Sequence, residues 1–367
     1  MIIKKNLNEL ELLNFKKRFT ISNDFDCSFR ENIWRRHQCE ENTCLSGWKT
    51  SSDRRRRLVH FIDKYDIVDN NFCLSKYYLR INLHLPISES LEYENFLSDK
   101  IVCNDLFSIK YISSNIDEYN NLDIILKSNN FEITDEIMFR PLRVFNNGIR
   151  KVLPRGNPKY VSISDIKNYF PAHVELGCGP SISSGIPPLN YFHKLFCLSK
   201  NGKFVFSFKD DDLVRSIINP FDWYSKTSYM QKMCLEAVPT NFYYTLKSLI
   251  ESGLVMEPIF NNNFDGLSKT LDINELCLRK YDSLGKYPDY SFSSKAKSLI
   301  VIGSHADRRG CQQAARRAGL QIIYIDPEGY LSEDGNFISY PLESPQDNDL
   351  IVNLKADDIN MKEFYEI

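Results

Sequence analysis

The chain is predicted to belong to the α/β class, with a doubly wound parallel sheet in its C-terminal part and an α+β domain before it. Three features predict this. His173-Val174-Glu175-Leu176 reads as a strand and runs directly into the glycine turn Gly177-Cys178-Gly179. Ser298-Leu299-Ile300-Val301-Ile302 is a short apolar strand ending at Gly303. A helix from Arg308 to Ala318 follows, Gly319 stops it, and Gln321 to Ile325 makes the next strand. Two strands joined through a helix run parallel, because the crossover returns the chain to the same end of the sheet. Pro239 opens a further helical stretch, with Phe242, Leu246, Leu249 and Ile250 on one face and Gly253 at its C-cap. Val255 to Phe260 then reads as a strand ending at Asn261-Asn262-Asn263.

The earlier half has a different pattern. Asn6 to Arg18 carries Leu7, Leu10, Leu12, Leu13 and Phe15 at helical spacing, and Lys76 to Leu85 alternates as a strand does. The breaker cluster Leu153-Pro154-Arg155-Gly156-Asn157-Pro158 marks the boundary. Residues 1–158 are therefore assigned to the α+β domain and 159–367 to the parallel-sheet domain. No internal repeat or low-complexity tract interrupts either.

Lys and Arg total 46 against 48 for Asp and Glu, so the chain as a whole has no field to gather nucleic acid or a membrane surface. Its 10 cysteines form no CxxC pair, which argues against a disulfide framework or a zinc ribbon. The opening Met1-Ile2-Ile3-Lys4-Lys5 soon turns polar, unlike a signal peptide, and no apolar run reaches bilayer length. A cytoplasmic protein in a reducing compartment is expected. His37, Cys39 and Cys44 offer three metal ligands without a fourth at a familiar spacing. Arg54 to Arg57, with Arg35 and Arg36 nearby, form a local basic cluster whose ordinary role is solvated surface, the alternative being an anionic partner.

Chemistry concentrates at the predicted strand ends. Two glycines after a strand let the backbone approach a ligand closely, and free N–H groups beside Ser181 suit a pyrophosphate. The string Gly177-Cys178-Gly179-Pro180-Ser181-Ile182-Ser183-Ser184-Gly185-Ile186-Pro187 resembles the sirtuin signature GAGxSxxSGIP. Phe260-Asn261-Asn262-Asn263-Phe264-Asp265-Gly266-Leu267 is similar to the sirtuin strand ending in TQNIDGL, and Gly303-Ser304-His305 resembles the family's GTS loop. With the tail from Asn348 to Asp357, the resemblance covers about residues 165 to 363.

A sirtuin-like, Rossmann-type domain with NAD as cofactor is what this resemblance implies. Gly177, Cys178, Gly179, Ser181, Gly185 and Ile186 would line the dinucleotide, together with Asn262, and Gly303, Ser304 and His305 would lie at its phosphates. Asn263 would sit beside the nicotinamide ribose, and Asp265 would hold the carboxamide. Asp326, 23 residues after Gly303 at the end of the next strand, can accept hydrogen bonds from the adenosine ribose, although sirtuins commonly have Asn there.

Three departures bear on the reaction. Pro188-Leu189-Asn190 replaces the family's Asp-Phe-Arg, which removes the Phe that shields the anomeric carbon. Glu275-Leu276-Cys277 stands where sirtuins have Glu-Leu-His, so the general-base histidine becomes Cys277. The zinc module that helps to hold acyl peptides is missing. Cys277 is a candidate catalytic thiolate, with a small buried hydrophobe as its alternative; His193 and His305 are other bases, neither aligned with the family's. The expected activity is cleavage of the nicotinamide–ribose bond of NAD, passing ADP-ribose to water or to an acceptor engaged by the N-terminal domain. The alternatives are a non-catalytic NAD or ADP-ribose sensor and a deacylase with a substituted base.

Overall fold

Long strands of mixed polarity build the first part of the chain, and short, almost wholly apolar strands build the second. The computed structural model describes residues 2–19, 29–37, 44–45, 48–49, 56–86, 107–116, 119–132, 155–188, 199–200, 203–204, 229–278, 288–307, 309–331, 335–343 and 345–359, with Leu91, Asn95 and Tyr191. Two units are distinguished. One comprises Met1–Asn147, Leu189–Leu235 and Asp282–Gly285; the other comprises Gly148–Pro188, Glu236–Tyr281 and Lys286–Ile367.

The first unit opens with β1 (Ile2–Lys4) and α1 (Glu9–Phe19), followed by β2 (Phe29–His37), β3 (Arg56–Val68), β4 (Asn71–Pro86), β5 (Phe107–Ile116) and β6 (Tyr119–Ser128). The helix starts three residues later than its apolar spacing suggests. Asn6 adopts φ 54, and Asn8 and Glu11 exchange side-chain to backbone bonds of 2.9 and 3.0 Å, a reciprocal cap that fixes the first turn. The sheet is antiparallel in the order β2-β3-β4-β6-β5, with β1 against β4. Asp69 and Asn70, at φ 49 and 58, form the two-residue turn between β3 and β4. Both central residues of such a turn need left-handed backbone, which Asp and Asn tolerate. Between β4 and β6, Arg80 grips Asp123 through Nε and Nη2 at 2.7 and 2.6 Å.

The second unit is a seven-stranded parallel sheet. Its strands are β7 (Lys159–Val161), β8 (Ala172–Leu176), β9 (Ile259–Asn261), β10 (Glu275–Cys277), β11 (Ser298–Ile302), β12 (Gln321–Ile325) and β15 (Leu350–Val352), with β13 (Gly329–Leu331) and β14 (Phe337–Ser339) forming a separate hairpin. The order is β10-β9-β8-β11-β12-β15-β7, and each neighbouring pair is parallel. From β8 the chain winds outward to β9 and β10; from β11, on the other side of β8, it winds outward to β12 and β15. This doubly wound topology is compatible with a Rossmann-type domain. Every residue of β8 and β11 is buried, as expected of parallel strands covered on both faces. Leu299 and Val301 of β11 join Phe260, Ile322, Tyr324 and Ile351 in one core.

The helices of this unit are α2 (Gly179–Ile182), α3 (Asn241–Glu251), α4 (Leu267–Thr270) and α5 (Cys311–Arg317). Gly253 and Gly319 end α3 and α5 at φ 76 and 81, as their positions in the sequence suggest. Two predicted boundaries are corrected. The strand expected from Val255 begins only at Ile259, because Pro258 has no N–H for the ladder and Val255 makes a lone bridge to Ala172. The helix expected from Arg308 begins at Cys311. Gly310 stands before it at φ 71, and the Asp307 carboxylate accepts from the N–H groups of Gln312 and Gln313 at 3.1 and 2.9 Å. Cys39, Arg54, Arg55, Leu189, Asn190, His193 and Arg308 lie outside the described residues. Among the described residues, no helix is long and apolar enough to cross a membrane.

His173, the second residue of β8, is a buried neutral base. Its Nε2 accepts from the Ser293 N–H at 2.9 Å, and its ring lies 5.5 Å from both Phe260 and Phe292. Burial holds its pKa below the ordinary value, so the unfolded chain takes up a proton that the folded chain refuses. Stability contributed at this position falls as pH drops below about 6.5, with a limiting slope of about 1.4 kcal/mol per pH unit. Urea unfolding of wild type and His173→Gln at a series of pH values checks this. The variant is expected to lose less stability on acidification than wild type.

Candidate functional site

The carboxyl ends of β8 and β11 define the switch point of the sheet, the position at which ligands of open α/β sheets bind. The loops leaving these two strands are locked backbone against backbone. A Cβ on Gly177 would stand 2.1 Å from the Gly303 carbonyl oxygen, and one on Gly303 would stand 2.5 Å from the Gly179 Cα. Gly303 also needs its φ of 63. The Gly177 N–H donates to the Ile302 carbonyl at 2.9 Å, and the Gly179 N–H donates to the Gly303 carbonyl at 3.3 Å. This corrects one expectation. These glycines are required by close packing of two loops, and their N–H groups are engaged within the protein rather than left free for a phosphate.

Three polar side chains meet just beyond the glycines. The Ser181 hydroxyl donates to Asp265 Oδ2 at 2.6 Å, while Asp265 Oδ1 accepts the Leu267 N–H at 3.0 Å. Asn263 Nδ2 donates to the Gly177 carbonyl at 2.6 Å and lies 3.3 Å from Ser181 Oγ. All three residues are buried. Ser181, from the loop after β8, is thus joined to Asn263 and Asp265, from the loop after β9, although more than eighty residues separate them. Tyr243 of α3 places its hydroxyl 3.4 Å from Ser181 Oγ. Burial, then the charge of Asp265, holds the Tyr243 phenol protonated well above its ordinary range.

Asn261 supports this arrangement and was not singled out in the sequence. Its Oδ1 accepts the Asn263 N–H at 2.8 Å, and its Nδ2 donates to Glu275 at 2.6 Å. The Ser268 hydroxyl also donates to Glu275, and Lys269 pairs with it at 3.5 Å. Cys277 ends the edge strand β10 in register with Asn261, half-buried and in no disulfide. Cys178 is likewise half-buried and in no disulfide, and precedes α2. Gly185, at φ 88, and Ile186 close the loop, the Ile186 N–H donating to the Ser181 carbonyl.

Across the switch point, His305 Nε2 donates to Asp326 Oδ2 at 3.0 Å, and its ring lies 4.3 Å from that of Tyr340. Asp326 Oδ1 accepts the Glu328 N–H at 2.6 Å. Each Asp326 oxygen therefore keeps one further lone pair for a ligand hydroxyl. Ser304 donates to a second residue that sequence reasoning missed, Glu175 of β8, at 3.4 Å; Asn262 donates to the same carboxyl at 2.7 Å. The visible signal was a carboxylate one residue before the glycine turn, in a strand that is wholly buried.

A dinucleotide with hydroxyl and phosphate oxygens fits two buried polar atoms that have no hydrogen-bond partner within the protein. These are Ser184 Oγ, in the glycine loop, and His305 Nδ1, in the loop after β11. The class defined by fold and site is an α/β protein with polar residues gathered at the switch point of a doubly wound parallel sheet. Comparisons of the chain with protein-family models, curated proteins and solved structures find no match.

The two kinds of loop residue differ in what they do for the fold. Gly177→Ala is expected to cost more than about 2 kcal/mol, since backbone on both sides of the added methyl must shift. Ser184→Ala removes a buried hydroxyl without a partner and is expected to change stability by less than about 1 kcal/mol, or to raise it. Thermal and urea unfolding of the two variants measures both.

Proposed function

We propose that the parallel-sheet unit binds NAD across the carboxyl ends of β8, β9, β11 and β12 and cleaves its nicotinamide–ribose bond, passing ADP-ribose to water or to another acceptor. The observation that carries this reading is the hydrogen-bonded cluster of Ser181, Asn263 and Asp265. It draws together, in space, the polar residues of the two stretches that resemble the sirtuin signature. Parallel strands gain nothing from three buried polar side chains beyond their ends, so a ligand is the economical reason for them.

Asp265 supplies the negative charge of the cluster, and Ser181 and the Leu267 N–H fix its carboxylate in one orientation. In that orientation it can accept from a carboxamide. Asn263, held by Asn261 and the Gly177 carbonyl, is the residue that the resemblance puts beside the reacting ribose. NAD supplies an activated glycosidic bond whose leaving group is the neutral nicotinamide. Fixed dipoles at the site favour the charge that develops as such a bond breaks. Asp326 and His305 suit the other end of the dinucleotide. The half-buried Cys277 ends the neighbouring strand, two residues past the partner of Ile259.

Nicotinamide release, with mass spectrometry of the products, tests the reaction. Asp265→Asn keeps the shape and the Leu267 contact but replaces one acceptor by a donor. Loss of a charge-assisted bond of roughly 1.5 to 3 kcal/mol lowers the rate by roughly ten- to a hundred-fold. Asn263→Ala is expected to cost at least as much, and Cys277→Ser is expected to leave activity intact. Stabilisation by NAD with no nicotinamide released would make the protein a sensor. Asn263 and Asp265 variants turning over NAD at the wild-type rate would remove the proposed chemistry.

A further inference from the structure

Glu175 belongs to none of the roles above, yet more loops converge on it than on any of the three residues of the cluster. It sits in the central strand β8, one residue before its end, and is 2% exposed. Its Oε1 accepts from Asn262 Nδ2, in the loop after β9, at 2.7 Å, and from the Ser304 hydroxyl, in the loop after β11, at 3.4 Å. Its Oε2 faces Gln312 Nε2, in the first turn of α5, at 3.3 Å. Arg309 extends the chain of contacts, donating from Nη1 to Asn262 Oδ1 at 2.8 Å.

We propose that Glu175 is a positioning residue of the NAD site, a carboxyl that ties β8 to the loops after β9 and β11 and to α5 and so sets the spacing of the residues that receive the ligand. The inference rests on the NAD-binding reading for its ligand, but the tie itself is a property of the protein alone.

The electrostatic surroundings favour the neutral form. Burial first, and then the negative Asp307, raise the carboxyl; the Asn262 and Gln312 amides and the positive Arg309 oppose this in part, and the net effect pushes it up to about 8. The other titratable groups facing it are Tyr290 and Cys311, both themselves held protonated mainly by burial. A protonated Glu175 can donate to the Ser304 hydroxyl, which accepts as well as donates, while Gln312 keeps its oxygen on the Tyr324 hydroxyl. An ionised Glu175 would instead place a buried negative charge, offset only in part by Arg309, beneath the loops assigned to a diphosphate, itself anionic. Proton and ligand are then linked, and losing the proton weakens binding.

The experiment compares wild type with Glu175→Gln, which mimics the neutral carboxyl, and Glu175→Leu, which keeps bulk but removes the tie. Two readouts are used across about pH 6 to about pH 9: the Kd for NAD, and hydrogen exchange of amides in residues 262–266 and 303–307 without ligand, variants being compared at matched pH. Wild type is expected to bind NAD about tenfold more weakly at about pH 9 than at about pH 7. Its loop amides are expected to lose protection, relative to Glu175→Gln, over the same interval. Glu175→Gln should bind within a few-fold of wild type at about pH 7 and show a flat profile. Glu175→Leu should show exposed loop amides at every pH. Exchange identical in wild type and Glu175→Gln at every pH, or loops as protected in Glu175→Leu as in wild type, overturns the proposal even if NAD binds. Should no protein bind NAD while the loops respond as stated, the functional reading fails and the role of Glu175 in spacing the loops stands.

Discussion

At the centre of the parallel sheet, the backbone of Gly303 occupies the space where side chains at 177 and 179 would otherwise lie. Two hydrogen bonds close the contact, from Gly177 to Ile302 and from Gly179 to Gly303. Everything at the switch point depends on this contact. It brings the loop after β8 against the loop after β11, fixes where α2 begins, and leaves the Gly177 carbonyl pointing to Asn263. A methyl group at any of the three positions would force the loops apart, because the atoms it would meet are almost all main chain and cannot rotate away.

From this contact two polar networks spread over the strand ends. One runs from Lys269 through Glu275 and Asn261 to Asn263 and the Gly177 carbonyl. The other runs from Ser304 and Asn262 through Glu175 to Gln312, and on through the Tyr324 hydroxyl to Arg316 and Asp349. Buried polar chains of this kind are costly when partly satisfied and rigid when complete. Their cost here is offset by burial of β8 and β11 on both faces. Two of the buried atoms without a hydrogen-bond partner, Ser184 Oγ and His305 Nδ1, lie in the loops the networks hold.

β8 also carries the two groups whose proton balance opposes each other. Burial favours the neutral form of both, His173 near the start of the strand and Glu175 near its end. Both are therefore neutral over a shared interval, from His173's depressed range up to about pH 8, and β8 then carries no charge through the core. The strand that places the candidate site is thus at its least strained electrostatically near neutrality.

Much of this was legible in the sequence. The strands 298–302 and 321–325 match their predicted bounds, because an apolar run between a breaker and a glycine leaves little freedom in where a buried strand begins and ends. Gly253 and Gly319 likewise announced their helix ends, and the sirtuin-like strings marked Ser181, Asn263 and Asp265 as residues to watch. Tertiary structure decided the rest. Sequence could not show that Gly177 and Gly179 are needed for Gly303, since the reason for each lies over 120 residues away. Nor could it show that Asn261 and Glu275 brace Asn263, because polar residues at a strand end look alike until the partner strand is in register. Glu175 is the clearest case. A glutamate that alternates with apolar residues reads as an exposed position, and only the convergence of two loops and a helix on that one carboxyl makes it a buried tie.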